Sequence, residues 1–136
     1  ENMNFQIVGD AVKFNQIVLN LLANGIDACS DTPDESGEKW VRISLMGAPQ
    51  TIVMVVEDNG SGIPDQHMDK IFEPFFTTKT NGQGLGIGLS MTKRIVEKDF
   101  GGVLTAKSEI GKGSSFKVHL PVRNRIMEYA AQPIHQ

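Results

Sequence analysis

Thr51-Ile52-Val53-Met54-Val55-Val56-Glu57-Asp58-Asn59-Gly60-Ser61-Gly62 passes from an unbroken apolar run into a carboxylate followed by two closely spaced glycines. The apolar run from Ile52 to Val56 suits a central strand, and it ends at Asp58. A carboxylate at a strand end, with glycines beside it, stands where the backbone lets a flat ligand come close, and a fixed acceptor suits an adenine amino group. Taken alone, an Asp-Asn-Gly turn is the ordinary reading of the same residues.

Upstream of this strand, Val41, Ile43 and Leu45 alternate with Arg42 and Ser44, which predicts a half-buried strand joined to it by a turn at residues 47–50. Before it comes a polar loop with Pro33 and Gly37, and before that a long helix opened by Asp10 as N-cap. Its apolar residues Phe14, Ile17, Val18, Leu21, Leu22, Ala28 and Cys29 recur at helical spacing. Lys13, Gln16, Asn20, Asn24 and Asp27 fall within about 80° of one another on a second face. Phe5 and Ile7 read as a short strand leading into this helix.

Downstream, Pro64 predicts the start of a short helix reaching Ile71, since its missing N–H costs nothing in a first turn. Residues 77–86 are glycine-rich and polar and are expected to form a mobile lid. A second amphipathic helix is expected from Gly88 to about Phe100, ended by Gly101-Gly102. Residues 103–108 and 115–120 read as a hairpin around Gly111 and Gly113, stopped by Pro121. Strands made mostly of hairpins with helices between them predict an α/β fold, a two-layer α/β sandwich with a mixed, mostly antiparallel sheet and helices on one face.

Composition narrows the function. A chain of 136 residues is expected to form one domain with a single core, over residues 1–121, followed by a tail at 122–136. The net charge of −3, from 13 basic and 16 acidic residues, includes no dense basic block, so nucleic acid is not an expected partner. The lone Cys29 allows neither a disulfide framework nor a zinc cluster, and fits a reducing compartment. No apolar run reaches the roughly 20 residues that span a bilayer, so direct membrane contact is not expected. His67, His119 and His135 show no metal-ligand spacing. A chain that opens on Glu1 rather than Met reads as a fragment of something longer.

Three further patterns carry chemistry. Asn20 and Asn24, one helical turn apart, present two carboxamides in one direction, a donor set that suits Mg²⁺ in a nucleotide site; a solvated helix face is the plainer alternative. Gly82-Gln83-Gly84-Leu85-Gly86-Ile87-Gly88 leads into a helix whose first unpaired N–H groups attract phosphate, although a flexible loop has the same composition. It is neither a Walker A sequence nor a Rossmann fingerprint. Gly111-Lys112-Gly113-Ser114 is the third glycine box.

Asn20-Leu21-Leu22-Ala23-Asn24, Asp58-Asn59-Gly60-Ser61-Gly62, Phe72-Glu73-Pro74-Phe75-Phe76 and the two later glycine boxes, in this order, resemble the catalytic ATP-binding domain of sensor histidine kinases, within the superfamily that includes gyrase and Hsp90. The run Phe75-Phe76-Thr77-Thr78-Lys79 resembles its nitrogen-regulator-type members. The resemblance implies the Bergerat ATP-binding fold with a left-handed crossover. It implies ATP and Mg²⁺ as ligands, Asn24 as the metal ligand, Asn20 as a phosphate-side partner, and Asp27 in the same site. Asp58 would take the adenine amino group, with Gly60 and Gly62 lining the base. Lys79 would contact phosphate from the lid, Gly84, Leu85, Gly86 and Gly88 would form the phosphate cradle, and Ser114 would support Asp58. Gly25 stands where the family often has Ala, and Ser114 where it often has Thr.

The resemblance further implies a protein-histidine kinase of two-component signalling, cytoplasmic, whose partner is the dimerisation and histidine phosphotransfer domain of the same kinase and, indirectly, a response regulator. Hydrolytic relatives are expected to carry Glu at position 20 to activate water; Asn20 cannot accept a proton in that way. No His here lies in the pattern of the phosphoacceptor helix, so the domain is expected to act only in trans. A serine kinase of the anti-sigma-factor type and a nucleotide-sensing module without catalysis are the alternatives.

Overall fold

Asp10 opens the first helix: with extended backbone (φ −75°, ψ 122°), its side chain accepts a hydrogen bond from the Val12 N–H at 2.8 Å. The computed structural model describes residues 6–31, 37–76 and 88–122. Helix α1 spans Ala11–Ser30 and buries Ile17, Leu21 and Gly25, spaced four apart along one stripe. Val18, Leu22, Ala28 and Cys29 flank that stripe half-buried.

Four strands form the sheet: β1 Val41–Ala48, β2 Thr51–Asp58, β3 Val103–Glu109 and β4 Gly113–Pro121, in the order β1-β2-β4-β3. Every neighbouring pair is antiparallel, so β2 and β3 run the same way and are linked by a crossover that passes over β4. Short turns close the two hairpins, Gly111 taking φ 81° in the second. In β2, Ile52, Met54, Val56 and Asp58 are buried; in β4 their register partners Leu120, Val118, Phe116 and Ser114 are buried too. That row faces the helices and holds the core together with Ile17, Leu21, Ile95, Val96 and Leu104. Asp58 and Ser114 are the last rung of an otherwise apolar ladder.

The second helical segment is α-helical over Gly88–Arg94, here α3, and continues as a π-helical turn over Ile95–Asp99. The Gly102 N–H closes it on the Val96 carbonyl at 2.8 Å, with Gly101 at φ 65°. Phe100 lies edge-on to Phe14 at 6.2 Å between centroids. Pairing of the π-turn and α1 through this contact completes a helix layer on one face of the sheet.

Three local expectations are corrected. Residues 6–8 form no strand, and Phe5 lies outside the described residues. Ile7 packs on the helix-side core and Gly9 sits so tightly on the Phe100 ring that a Cβ there would overlap it, so the segment is held by core packing without strand pairing. The helix after Pro64 is the single turn α2, Asp65–Met68; it gives way to four-residue turns from His67 to Lys70, Lys70 to Glu73 and Glu73 to Phe76. Strand β1 is less buried than its alternation implies, with Ile43 41% and Leu45 69% exposed, because it is the sheet edge and α1 lies chiefly over its neighbour β2. The expected lid over residues 77–86 and the tail beyond residue 122 lie outside the described residues. Among the described residues no helix is long and apolar enough to cross a membrane.

Candidate nucleotide site

At the last rung of the core ladder, the Asp58 carboxylate, 6% exposed, accepts a hydrogen bond from the Gly60 N–H at 2.9 Å and another from the Ser114 N–H. Burial raises its pKa above the ordinary carboxylate value, and the two N–H groups pull it part of the way back. A buried acceptor held by two fixed donors keeps lone pairs for a ligand, since an ionised carboxylate offers about four acceptor positions.

The loop after Asp58 is clamped on both sides. A Cβ at Gly60 would lie 2.5 Å from the Ala28 carbonyl carbon and 2.6 Å from its oxygen, so the loop rests directly on the last turn of α1. The Ser61 N–H bonds that same carbonyl at 3.2 Å. Gly62 takes φ 77° with its α-carbon against the Glu109 backbone, and the Gly111 N–H donates to Ser61 O at 2.9 Å. The two glycines expected to line a base thus also have a packing reason: side chains there would collide with the protein's own backbone.

Asn59 and Ser108, which sequence reasoning passed over, complete the clamp. Asn59 Oδ1 accepts from the Trp40 N–H and its Nδ2 donates to Glu38 O, both at 2.8 Å, so the side chain continues the β1–β2 pairing past Asp58. Ser108 Oγ accepts from the Ile63 N–H at 2.7 Å, donates to Gly113 O at 3.0 Å and meets Ser114 Oγ at 2.8 Å. With the Ser108 proton on Gly113 O, the Ser114 hydroxyl is the donor of that pair. Ser114 therefore holds Asp58 through its backbone N–H directly, and its hydroxyl serves Ser108. Nothing in the sequence but the Asp-Asn-Gly turn signal pointed to Asn59, and nothing pointed to Ser108.

Helix α1 brings its carboxamides to the same place. A Cβ at Gly25, the neighbour of Asn24, would stand 3.6 Å from Asp58 Cβ. Asn20, Asn24 and Asp27 are half-buried along one stripe of the helix. Asn20 Nδ2 donates to Thr92 Oγ1 of α3 at 3.2 Å, while the Asn24 side chain bonds none of the described residues. Gly88 is the exposed first residue of α3. Lys79, Gly84, Leu85 and Gly86 lie outside the described residues. Among the described residues there is no group of three His, Cys, Asp or Glu that could hold a metal. Oxygen donors of the carboxamide kind suit a hard cation beside a ligand's own oxygens, and the Asn24 amide, which bonds none of the described residues, fits such a role.

Residues 9–124 match the family described as histidine kinase-, DNA gyrase B- and HSP90-like ATPases. The chain belongs to this family. The sensor kinase CckA of Brucella abortus is 39% identical over 124 residues, covering 85% of this chain and 13% of its own length. The two-component sensor PprA of Pseudomonas aeruginosa is 40% identical over 116 residues, covering 84% of this chain and 12% of its own. The chain thus spans about an eighth of these curated relatives. Among solved structures, the catalytic domain of histidine kinase ThkA superposes with a TM-score of 0.71 at 31% identity, over 89% of this chain and 74% of that one. The α/β sandwich and the histidine-kinase resemblance expected from the motifs both hold for this ATPase-family domain.

Proposed function

We propose that this domain binds Mg-ATP and presents the γ-phosphate to a histidine on a separate dimerisation and phosphoacceptor domain, in two-component signalling. The observation that carries this reading is the buried Asp58, clamped between α1 and the β3–β4 turn, beside a helix whose polar stripe offers Asn20 and Asn24. The sensor-kinase names of the relatives support it.

Asp58 accepts from the adenine amino group; guanine carries a carbonyl at that edge, and the resulting oxygen–oxygen opposition rejects it. The clamp keeps the carboxylate still, so its orientation is set before ligand arrives. Asn24 would hold Mg²⁺, which when bound neutralises phosphate charge and aligns the leaving oxygen. Asn20 stands where a water-activating carboxylate would be needed for hydrolysis, and an amide does not take up a proton, which favours transfer over hydrolysis. The remaining task is in-line placement of the acceptor, which another domain must supply. The kinase portion is cytoplasmic in this reading, and the response regulator receives the phosphoryl group afterwards.

Radiolabelled ATP, this domain and its own phosphoacceptor domain together test the proposal. Label should move to the phosphoacceptor domain and be lost on acid treatment, as a phosphoramidate is. Label that survives acid points to a serine kinase, and phosphate release by the domain alone points to an ATPase; either outcome overturns the proposal.

A further inference from the structure

Thr92 is fully buried between α1 and α3, with two polar partners of opposite demand. Its Oγ1 lies 2.7 Å from the Gly88 carbonyl oxygen and 3.2 Å from Asn20 Nδ2. A hydroxyl has a single proton, and a carbonyl oxygen can only accept. That proton therefore lies on Gly88 O, as expected of a helical threonine bonding back one turn. What Thr92 has left to offer Asn20 is a lone pair. The Asn20 carboxamide must then turn its NH₂ inward to Thr92 and its oxygen away, because the reverse rotamer would set two acceptor oxygens against each other in a buried site.

We infer that Thr92 is a positioning residue: it fixes Asn20 with the carboxamide oxygen outward, so that Asn20 joins Asn24 as a second oxygen acceptor on the polar stripe of α1. The inference rests on the proposed Mg-ATP site for its functional consequence and on hydrogen-bond geometry alone for its structural one. The outward oxygen can only accept, so what it offers the site is a ligand for the cation or for the cation's bound water. The same hydroxyl ties Asn20 to the first residue of α3, which couples the orientation of that amide to the helix start following residue 87.

The test uses the whole chain and separates the two layers. By NMR in the absence of nucleotide, the Asn20 side-chain NH₂ should exchange slowly with water and show contacts to the Thr92 γ-protons. A rapidly exchanging Asn20 amide without those contacts overturns the inference in the parent protein, before any variant is made. Thr92→Val keeps the shape and removes the hydroxyl; Thr92→Ser keeps the hydroxyl. In Thr92→Val the Mg²⁺-dependent gain in ATP affinity should fall about tenfold, the size of one lost hydrogen bond, with Mg²⁺-free binding changed much less. Thr92→Ser should restore the gain. An intact Mg²⁺ dependence in folded Thr92→Val, or an equal loss in Thr92→Ser, overturns the inference. A parent that holds the Asn20 amide as described but shows no Mg²⁺-dependent gain refutes instead the metal reading and, with it, the functional role of Thr92.

Discussion

Gly60→Ala is the substitution whose cost the geometry sets most directly. The added Cβ would lie 2.5 Å from the Ala28 carbonyl carbon, 2.6 Å from its oxygen and 2.8 Å from its Cβ. Ordinary contact begins at 3.4 Å, so the loop and helix must separate by about 0.9 Å, the difference of 3.4 and 2.5. The obstacle is helix backbone, which cannot rotate aside as a side chain would. Overpacking of this kind costs about 1–3 kcal/mol, which lowers Tm by roughly 3–10 °C in a domain of this size. The same displacement carries the Gly60 N–H away from Asp58 Oδ1, leaving a buried carboxylate with one donor fewer. ATP affinity should therefore fall roughly tenfold or more as well, a charged hydrogen bond being worth about 1.5–3 kcal/mol. Scanning calorimetry and titration calorimetry read the two effects separately. Gly25→Ala serves as the control: its Cβ meets the Val41 methyls at 3.1 and 3.2 Å on an edge strand able to yield, and Ala gains about 1 kcal/mol of helix propensity over Gly. A Gly60→Ala protein that melts and binds ATP like the parent would refute the account of the clamp.

Asn24→Ala should fold like the parent, since its side chain bonds none of the described residues, and should lose the Mg²⁺-dependent part of ATP binding in a titration with and without the metal. Asp58 has its pKa raised from 3.8 by burial, so its protonated form is favoured by folding. Its contribution to stability is full below pH 3.8 and declines as pH rises through the raised value. Urea unfolding of parent and Asp58→Asn across that range should show the parent's relative stability falling with rising pH, and a difference independent of pH would contradict it. Ser108→Ala leaves the Ile63 N–H and the Ser114 hydroxyl without their shared partner and should cost about 1–3 kcal/mol, read by chemical denaturation.

Much of this domain was legible along the chain because its signals are local. The stripe through Ile17 and Leu21, the Asp10 cap, the apolar run ending at Asp58 and the Gly111 turn each depend on neighbours within a few residues, and each stands as read. The motif order also identified the family, since ligand contacts demand particular residue types at particular spacings. Burial of β1 was not legible, because alternation reports which face a residue takes and not whether a helix covers that strand. The short segment at residues 6–8 failed for a similar reason, since Ile7 packs on the core without strand pairing while Gly9 lies against the Phe100 ring.

The sequence alone singled out Asp58, Asn20, Asn24 and the glycines as candidates; only the tertiary structure decided how the described ones among them are held. Asn20 meets Thr92 across 72 positions, Ile63 meets Ser108 across 45, and Asn59 reaches back to Trp40 across 19. Such pairs leave no periodicity, because a hydrogen bond needs only two atoms brought within about 3 Å, and what brings them there is the packing of α1 and α3 on the sheet. Gly60 makes the same point in one residue: its place in a glycine box is visible in the sequence, but the Ala28 carbonyl that excludes a side chain is supplied by a helix that ends 30 positions earlier.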